Sequence, residues 1–108
     1  MKVTLKNLAQ ATAQQVFDQV KTHLLTQGVK CINPNTQYCV YRNGEGLSCA
    51  AGCLIADEEY KQSLENHPWH ALVIGAVVPR AHQVLIDNLQ NVHDANDPED
   101  WERRLQAV

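Results

Sequence analysis

One segment of the chain repeats its apolar residues at the spacing of an α-helix, and this segment limits how the rest can fold. Thr12 is followed three residues later by Gln15, which is the pattern of a capping box, and Gly28 is a typical helix end. The apolar residues between these signals share one face: Val16, Phe17, Val20, Leu24 and Leu25. The sequence therefore predicts an amphipathic helix that must dock on a core.

Three further helices are predicted in the second half of the chain, beginning beside Pro68, Pro79 and Pro98. Their core-facing residues are expected to be Trp69, Leu72, Val73 and Ala76 in the first, Ala81, Val84, Leu85, Leu89 and Val92 in the second, and Trp101 and Leu105 in the third. His82 and His93 are expected to share one face of the second helix, at the edge of its buried stripe.

A small β-hairpin is predicted between the first helix and the others. Residues 38–42 alternate as a strand does, residues 43–46 contain turn-forming Asn and Gly, and the second strand is expected at 46–48. An isolated hairpin is marginally stable, so it should lie against the helices. The sequence thus predicts a helix-rich α+β fold, with about four to five helices and one hairpin, in a single globular domain over residues 1–108.

Length and charge exclude several classes of function. A chain of 108 residues suits one domain, and its net charge of −3 comes without a cluster of basic residues, so direct binding of nucleic acid is not expected. The longest apolar run, residues 71–78, is too short to span a bilayer. We expect a cytoplasmic protein without a signal peptide or membrane contact, whose four cysteines stay reduced.

The segment Cys49-Ala50-Ala51-Gly52-Cys53 suggests the most specific chemistry in the chain. Spacing of four residues puts both thiols on one face of a short predicted helix, with Ser48 as its cap. A cysteine at a helix N-terminus has a lowered thiol pKa, so Cys49 is a candidate nucleophile of a thiol hydrolase. Its general base would come from one of four histidines: His67, His70, His82 or His93.

Two other interpretations of the same segment remain open. Cys49 and Cys53 could supply half of a zinc site, with His67 and His70 as the other half. Alternatively, the segment is structural, because Ala50, Ala51 and Gly52 permit close packing and buried reduced cysteines are common. The structural interpretation needs no catalytic residue, metal or cofactor.

Three stretches of the sequence resemble a recurrent pattern in short bacterial and bacteriophage proteins. Residues 39–42 read CVYR, residues 46–55 read GLSCAAGCLI and residues 57–60 read DEEY, which is similar to the pattern CVYR, GLxCAxGCLI and DEEY of that group. Later features are consistent with it: Trp69, Val78-Pro79, His82 and Val92-His93-Asp94. The resemblance implies a compact cytosolic or phage-encoded domain and brings no activity with it.

Small size, the absence of a complete catalytic constellation and the lack of a basic surface favour a non-enzymatic domain that binds another macromolecule, namely a protein. A phage or mobile-element origin would suit an accessory factor of this kind. The candidate contact residues lie around the predicted hairpin: Tyr38, Arg42, Asn43 and Glu45. The alternative is the cysteine-centred site, either hydrolytic through Cys49 or zinc-binding through Cys49 and Cys53.

Overall fold

The structure is a computed structural model that describes residues 2–108. Its regular elements are helical. The α-helices are α1 (Ala13–Gln27), α2 (Trp69–Ile74), α3 (Gln83–Ala95) and α4 (Trp101–Leu105). Short 3₁₀ segments lie at Leu5–Gln10, Gly52–Leu54, Gln62–Leu64 and Pro98–Asp100. The helix-rich character that the sequence predicts is therefore confirmed.

Helix α1 begins and ends where its local signals predict. The Thr12 hydroxyl accepts the N–H of Gln15 at 3.1 Å, and the Gln15 side chain accepts the N–H of Thr12 at 2.8 Å, which completes the capping box. Gly28 follows in the left-handed conformation, with φ of 70°. Leu25, which the pattern assigns to the buried face, is exposed instead. The buried residues of that face are Val16, Val20 and Leu24.

The core forms where α1 packs against α3 and α4, with α2 packed on α3. Trp101 and Leu105 are buried as predicted, and the Trp101 indole donates to the main-chain oxygen of Asn96 at 3.2 Å. The radius of gyration is 12.7 Å, close to the roughly 13 Å of a single compact domain of this size. None of the helices between Lys2 and Val108 combines the length and apolar character needed to cross a bilayer.

Helix α3 differs from its prediction in both start and register. It begins at Gln83 rather than at Pro79, and His82 precedes it with φ of 62°. The buried residues are Ile86, Leu89, Val92 and His93. Val84, predicted to be buried, is 72% exposed, because a residue two positions before Ile86 lies about 200° around the helix. In α2, Ala76 is exposed because that helix already ends at Ile74.

The predicted hairpin over 38–42 and 46–48 is not present. Within the described part of the chain, only two isolated bridges occur, between Ile32 and Cys39 and between Arg42 and Ser48. Side chains accept hydrogen bonds from main-chain N–H groups that a pair of strands would use between them. The Glu65 carboxylate, for example, accepts the N–H groups of Tyr41 at 3.0 Å and Arg42 at 3.1 Å. The α+β prediction is therefore wrong in its sheet component.

The predicted helix at Cys49 is also shorter than expected. Its only regular turn is the 3₁₀ segment Gly52–Leu54, closed by bonds from the Leu54 N–H to the Ala51 oxygen at 3.0 Å and from the Ile55 N–H to the Gly52 oxygen at 3.1 Å. Ser48 does not cap this segment, because the residue at the N-cap position is Ala51. The turn is held from outside by Gln90, whose side-chain oxygen accepts the Ala51 N–H at 2.8 Å. Cys49 thus lies before a single turn and not at the N-terminus of an α-helix.

Candidate functional site

The irregular middle of the chain borders an open groove, which we call the loop groove. Its walls come from residues of segments 33–35, 42–48 and 52–58, and its volume is about 1350 Å³. Pockets for small molecules typically measure about 300–1,000 Å³, so this groove is large for such a ligand. Its size and openness suit an extended segment of a macromolecule.

The first loop bordering the groove is fixed by its own hydrogen bonds. The main-chain oxygen of Asn33 accepts the N–H groups of Thr36 at 3.2 Å and Gln37 at 2.7 Å, and its side chain accepts that of Asn35 at 2.8 Å. Gln37 adopts a φ of 65°, which is uncommon outside glycine. The loop ends at Tyr38, whose side chain is 76% exposed. An aromatic residue is therefore held in solvent on a rigid loop.

Asn43 shapes the second loop. Its side-chain oxygen accepts the N–H of Glu45 at 2.9 Å and of Leu47 at 3.3 Å. Gly44 and Gly46 have φ of 81° and 87°, a conformation that L side chains rarely adopt. Asn43 thus lines the groove and fixes its border, whereas the exposed Glu45 belongs to the loop without lining the groove.

Arg42 forms part of the groove wall and is anchored on three sides. One guanidinium nitrogen pairs with Asp57 at 2.7 Å, another donates to the Ile55 oxygen at 2.6 Å, and the group lies 5.1 Å from the centre of the Tyr60 ring. Its Nε–H is buried and has no acceptor among residues 2–108. Arg42 therefore presents a fixed cation with one donor still unused.

The structure brings only part of the predicted contact set together. Arg42 and Asn43 line the loop groove, while Tyr38 and Glu45 lie on the two loops that border it. Because the Arg42 side chain contacts Ile55, Asp57 and Tyr60, it supports the fold as well as the groove.

The thiols of the Cys49–Cys53 turn are not arranged as a reactive site. Cys49 is fully buried, its Sγ accepts the Gly52 N–H at 3.3 Å, and burial raises its pKa well above the usual range. The Cys53 thiol donates to the Ala50 oxygen at 3.1 Å, and burial raises its pKa to about 12. No hydrogen bond in the described region joins a histidine to Cys49. These features do not favour a nucleophilic Cys49.

Side chains of metal-ligand type converge elsewhere. In the part of the chain that the structure describes, donor atoms lie within 4.8 Å of one another in two groups, and neither group contains Cys49 or Cys53. One group is Asp97, Glu99 and Asp100, exposed or half-buried carboxylates in the turn before α4. The other is Cys39, His93 and Asp94.

The hydrogen bonds of His93 argue against a metal in the second group. Its Nε2 accepts the buried N–H of Cys31 at 3.0 Å, so Nδ1 must carry the proton that it shares with Asp94 at 2.7 Å. Both ring nitrogens are therefore occupied, and binding a metal would break one of these bonds. The ring also stacks on Trp101, with 5.3 Å between centroids. His93, predicted to flank the core, is instead a buried link between three segments.

The predicted histidines are likewise dispersed. His82 donates from Nε2 to the Ala11 oxygen at 2.7 Å and so ties the start of α3 to the start of α1. His67 and His70 line a second cleft, together with residues of α3. The arrangement does not bring them near Cys49 as a zinc half-site.

This second cleft, which we call the α3 cleft, was not predicted. Its volume is about 440 Å³, and it lies between residues 39–41, residues 65–70 and one face of α3. Val40, Glu65 and Asn66 line both this cleft and the loop groove, so the two are neighbours. The signal in the sequence is a polar stripe at helical spacing: Asp87, Asn91 and Asp94.

The two clefts therefore share a ridge formed by Val40, Glu65 and Asn66, and polar side chains line both of them. Comparisons of the chain with protein-family models, with curated proteins and with solved structures found no match.

Proposed function

We propose that the protein is a non-enzymatic binding module whose loop groove holds a segment of another protein. The observation that supports this most is the groove itself, about 1350 Å³ in volume and bordered by two loops that their own hydrogen bonds hold in place. Binding to loops that are already ordered avoids the entropy cost of ordering them, which favours affinity.

The groups around the groove suit recognition of a polypeptide. Tyr38 offers an exposed aromatic ring, and tyrosine is one of the residue types enriched at the centres of protein interfaces. The unused Nε–H of Arg42 offers a donor to a main-chain oxygen. Lys2 and Arg42 share the lining with Asp57, Glu58 and Glu65, so the groove carries charges of both signs. That mixture suits protein better than the uniformly negative backbone of nucleic acid.

The resemblance to short bacterial and bacteriophage proteins supports an accessory role in which the partner is a host protein. The cysteine-centred alternatives gain no support from the geometry, since Cys49 is buried with a raised pKa and belongs to no ligand cluster.

Capture of a partner with matched surface variants tests the proposal. Tyr38→Ala removes the exposed ring, and Glu58→Arg changes the charge of an exposed groove residue that makes no hydrogen bond within residues 2–108. Val84→Ser is the control, because Val84 is exposed and lines neither cleft. All three variants should melt close to the parent temperature.

Immobilised parent and Val84→Ser should retain the same protein from a lysate of the source cells, and cross-linking should place it beside the groove. Tyr38→Ala and Glu58→Arg should retain at least tenfold less. Equal retention by all four proteins would contradict the proposal, as would cross-links that map outside the loop groove and its two bordering loops.

A further inference from the structure

The α3 cleft is negatively charged. Three carboxylates line it, those of Glu65, Asp87 and Asp94, and no lysine or arginine does. Lys30 reaches the neighbourhood, but its ammonium group donates to the main-chain oxygen of Asp94 at 3.0 Å and not to the carboxylate. A ligand of this cleft is therefore expected to carry positive charge.

The three carboxylates differ in how far they are already used. Glu65 accepts two main-chain N–H groups and the Tyr60 hydroxyl, so it is committed to the fold. Asp94 accepts from His93 and Gln90, both at the same oxygen, Oδ1. The Asp87 carboxylate takes part in no hydrogen bond or ion pair within residues 2–108. Asp87 is thus the carboxylate available to a ligand, and Asp94 adds charge two helical turns away.

The cleft also contains a buried donor without an acceptor. Trp69 lines it and is 1% exposed, and the indole Nε1–H makes no hydrogen bond in the described part of the chain. A buried donor that is left unpaired is unfavourable, because it has lost its hydrogen bond to water without a replacement. The other indole, that of Trp101, is satisfied by the Asn96 oxygen. A ligand oxygen that reaches Trp69 would remove this penalty.

We propose that the α3 cleft binds an arginine residue of the protein segment held in the adjacent loop groove, with the guanidinium group on Asp87 and a main-chain oxygen on the Trp69 indole. An arginine residue supplies both groups that the cleft lacks, and its planar fork matches a carboxylate better than an ammonium group does. The occupant rests on the proposed function, because the ridge of Val40, Glu65 and Asn66 is common to both clefts.

A titration followed by ¹⁵N NMR tests the cleft without the partner. The probe is N-acetyl-arginine amide, and its neutral counterpart is N-acetyl-citrulline amide. The Trp69 indole N–H resonance should move on addition of the arginine probe, while that of Trp101 stays in place as an internal control. Affinity should fall at least tenfold for the citrulline probe and at least tenfold in Asp87→Asn. Glu102→Gln, an exposed carboxylate change outside the cleft, should leave affinity unchanged.

A third probe separates an arginine residue of a protein from a simple guanidinium cation. n-Butylguanidine has the same single charge as the arginine probe and lacks the main-chain carbonyl, so it should bind at least fivefold more weakly and shift the Trp69 indole less. n-Butylguanidine that binds as tightly as the arginine probe would overturn the peptide occupant. Absence of any shift, or equal binding by Asp87→Asn, would overturn the site itself. Arginine binding without partner capture would instead refute the groove's proposed function and leave the cation site standing.

Discussion

The main-chain oxygen of Tyr41 lies against the Cα of Gly52, in the space that a Cβ atom on Gly52 would occupy. The same oxygen accepts the N–H of Cys49 at 3.2 Å. The turn from Cys49 to Cys53 therefore packs directly against the main chain at Tyr41, between the two clefts. This contact explains why residue 52 is a glycine, and the two residues before it, Ala50 and Ala51, are also small and fully buried.

Gly52→Ala should therefore destabilise the protein, because its methyl group overlaps backbone that cannot move aside as a side chain can. We expect a loss of about 1–3 kcal/mol in the free energy of unfolding, measured by urea denaturation. Gly75→Ala is the control: Gly75 has φ of −78°, and the nearest atom to its added Cβ is at 3.4 Å. Equal stability of the two variants would show that the contact at residue 41 is not tight.

The Glu65 carboxylate accepts main-chain N–H groups of Tyr41 and Arg42 that a paired β-strand would otherwise accept, so it should be essential to stability. Glu65→Gln keeps the size of the side chain but turns an NH₂ group toward donors that need an acceptor. A loss of about 1–3 kcal/mol is expected from each buried donor left unpaired. Glu58→Gln makes the same chemical change at an exposed position that has no hydrogen-bond partner among the described residues, and it should change stability by less than about 0.5 kcal/mol. Similar melting temperatures for the two variants would contradict this role of Glu65.

The elements that the sequence predicts correctly are those whose causes are local. The capping box of Thr12 and Gln15 and the left-handed Gly28 lie at the ends of α1, so its bounds can be inferred from one segment. The hairpin fails because the acceptor of the Tyr41 N–H is a side chain 24 residues away. The start of α3 depends on a contact of His82 with Ala11, 71 residues away. Neither long-range bond leaves a periodic signal.

The candidate sites follow the same division. Arg42 and Asn43 could be found because turn residues and a lone cation mark a loop in the sequence. The α3 cleft could not, since Trp69, Asp87 and residues 39–41 become neighbours only when α2 packs on α3. The reactivity expected of Cys49 fails for a related reason: the segment does not form an α-helix, and burial outweighs the bond from the Gly52 N–H.

The bond from the Cys31 N–H to His93 predicts one tautomer of this ring. In ¹⁵N NMR of the imidazole, Nε2 of His93 should have the shift of an unprotonated nitrogen and Nδ1 that of a protonated one. Equimolar Zn²⁺ should leave both signals in place, because neither nitrogen has a free lone pair. His93→Leu should cost about 1–3 kcal/mol, since it leaves the Cys31 N–H unpaired. A shift of the Nδ1 signal with zinc would contradict this arrangement.

The acid side of the stability profile should depend on Asp94. Burial opposes its ionised form, but hydrogen bonds from His93 and Gln90 outweigh burial and lower the pKa of the carboxyl below 3.8. A carboxyl with a lowered pKa in the folded state stabilises the protein above pH 4, and the contribution is lost as the pH falls. Asp94→Asn should therefore reduce stability at pH 7 and flatten its decline between pH 5 and pH 3 in urea titrations. An unchanged profile would show that the network adds no net stability.

The alkaline side should depend on the buried thiols, whose pKa values move in the opposite direction. Burial raises the pKa of Cys31 from 9.0 to about 12 and that of Cys39 to about 11. The unfolded chain then loses these protons first, so the stabilisation is complete below pH 9 and declines as the pH rises through the folded-state values. Each such thiol adds a slope of up to about 1.4 kcal/mol per pH unit. Urea denaturation between pH 8.5 and pH 11 should show this decline, to which the raised pKa values of Tyr41 and Tyr60 add above pH 10.

Cys31→Ala should make that decline shallower, because it removes the contribution of one titrating proton to the slope of stability against pH. The same change should lower stability at pH 7.5, because the hydrogen bond from the Cys31 thiol to the Leu47 oxygen is lost. The same protection predicts slow alkylation of the native protein by iodoacetamide at pH 7.5. Cys39 should react before the others, because it is only half-buried and its pKa of about 11 is the lowest that burial leaves among the thiols. Fast and selective labelling of Cys49 would contradict its burial and would return the Cys49–Cys53 turn to consideration as a reactive site.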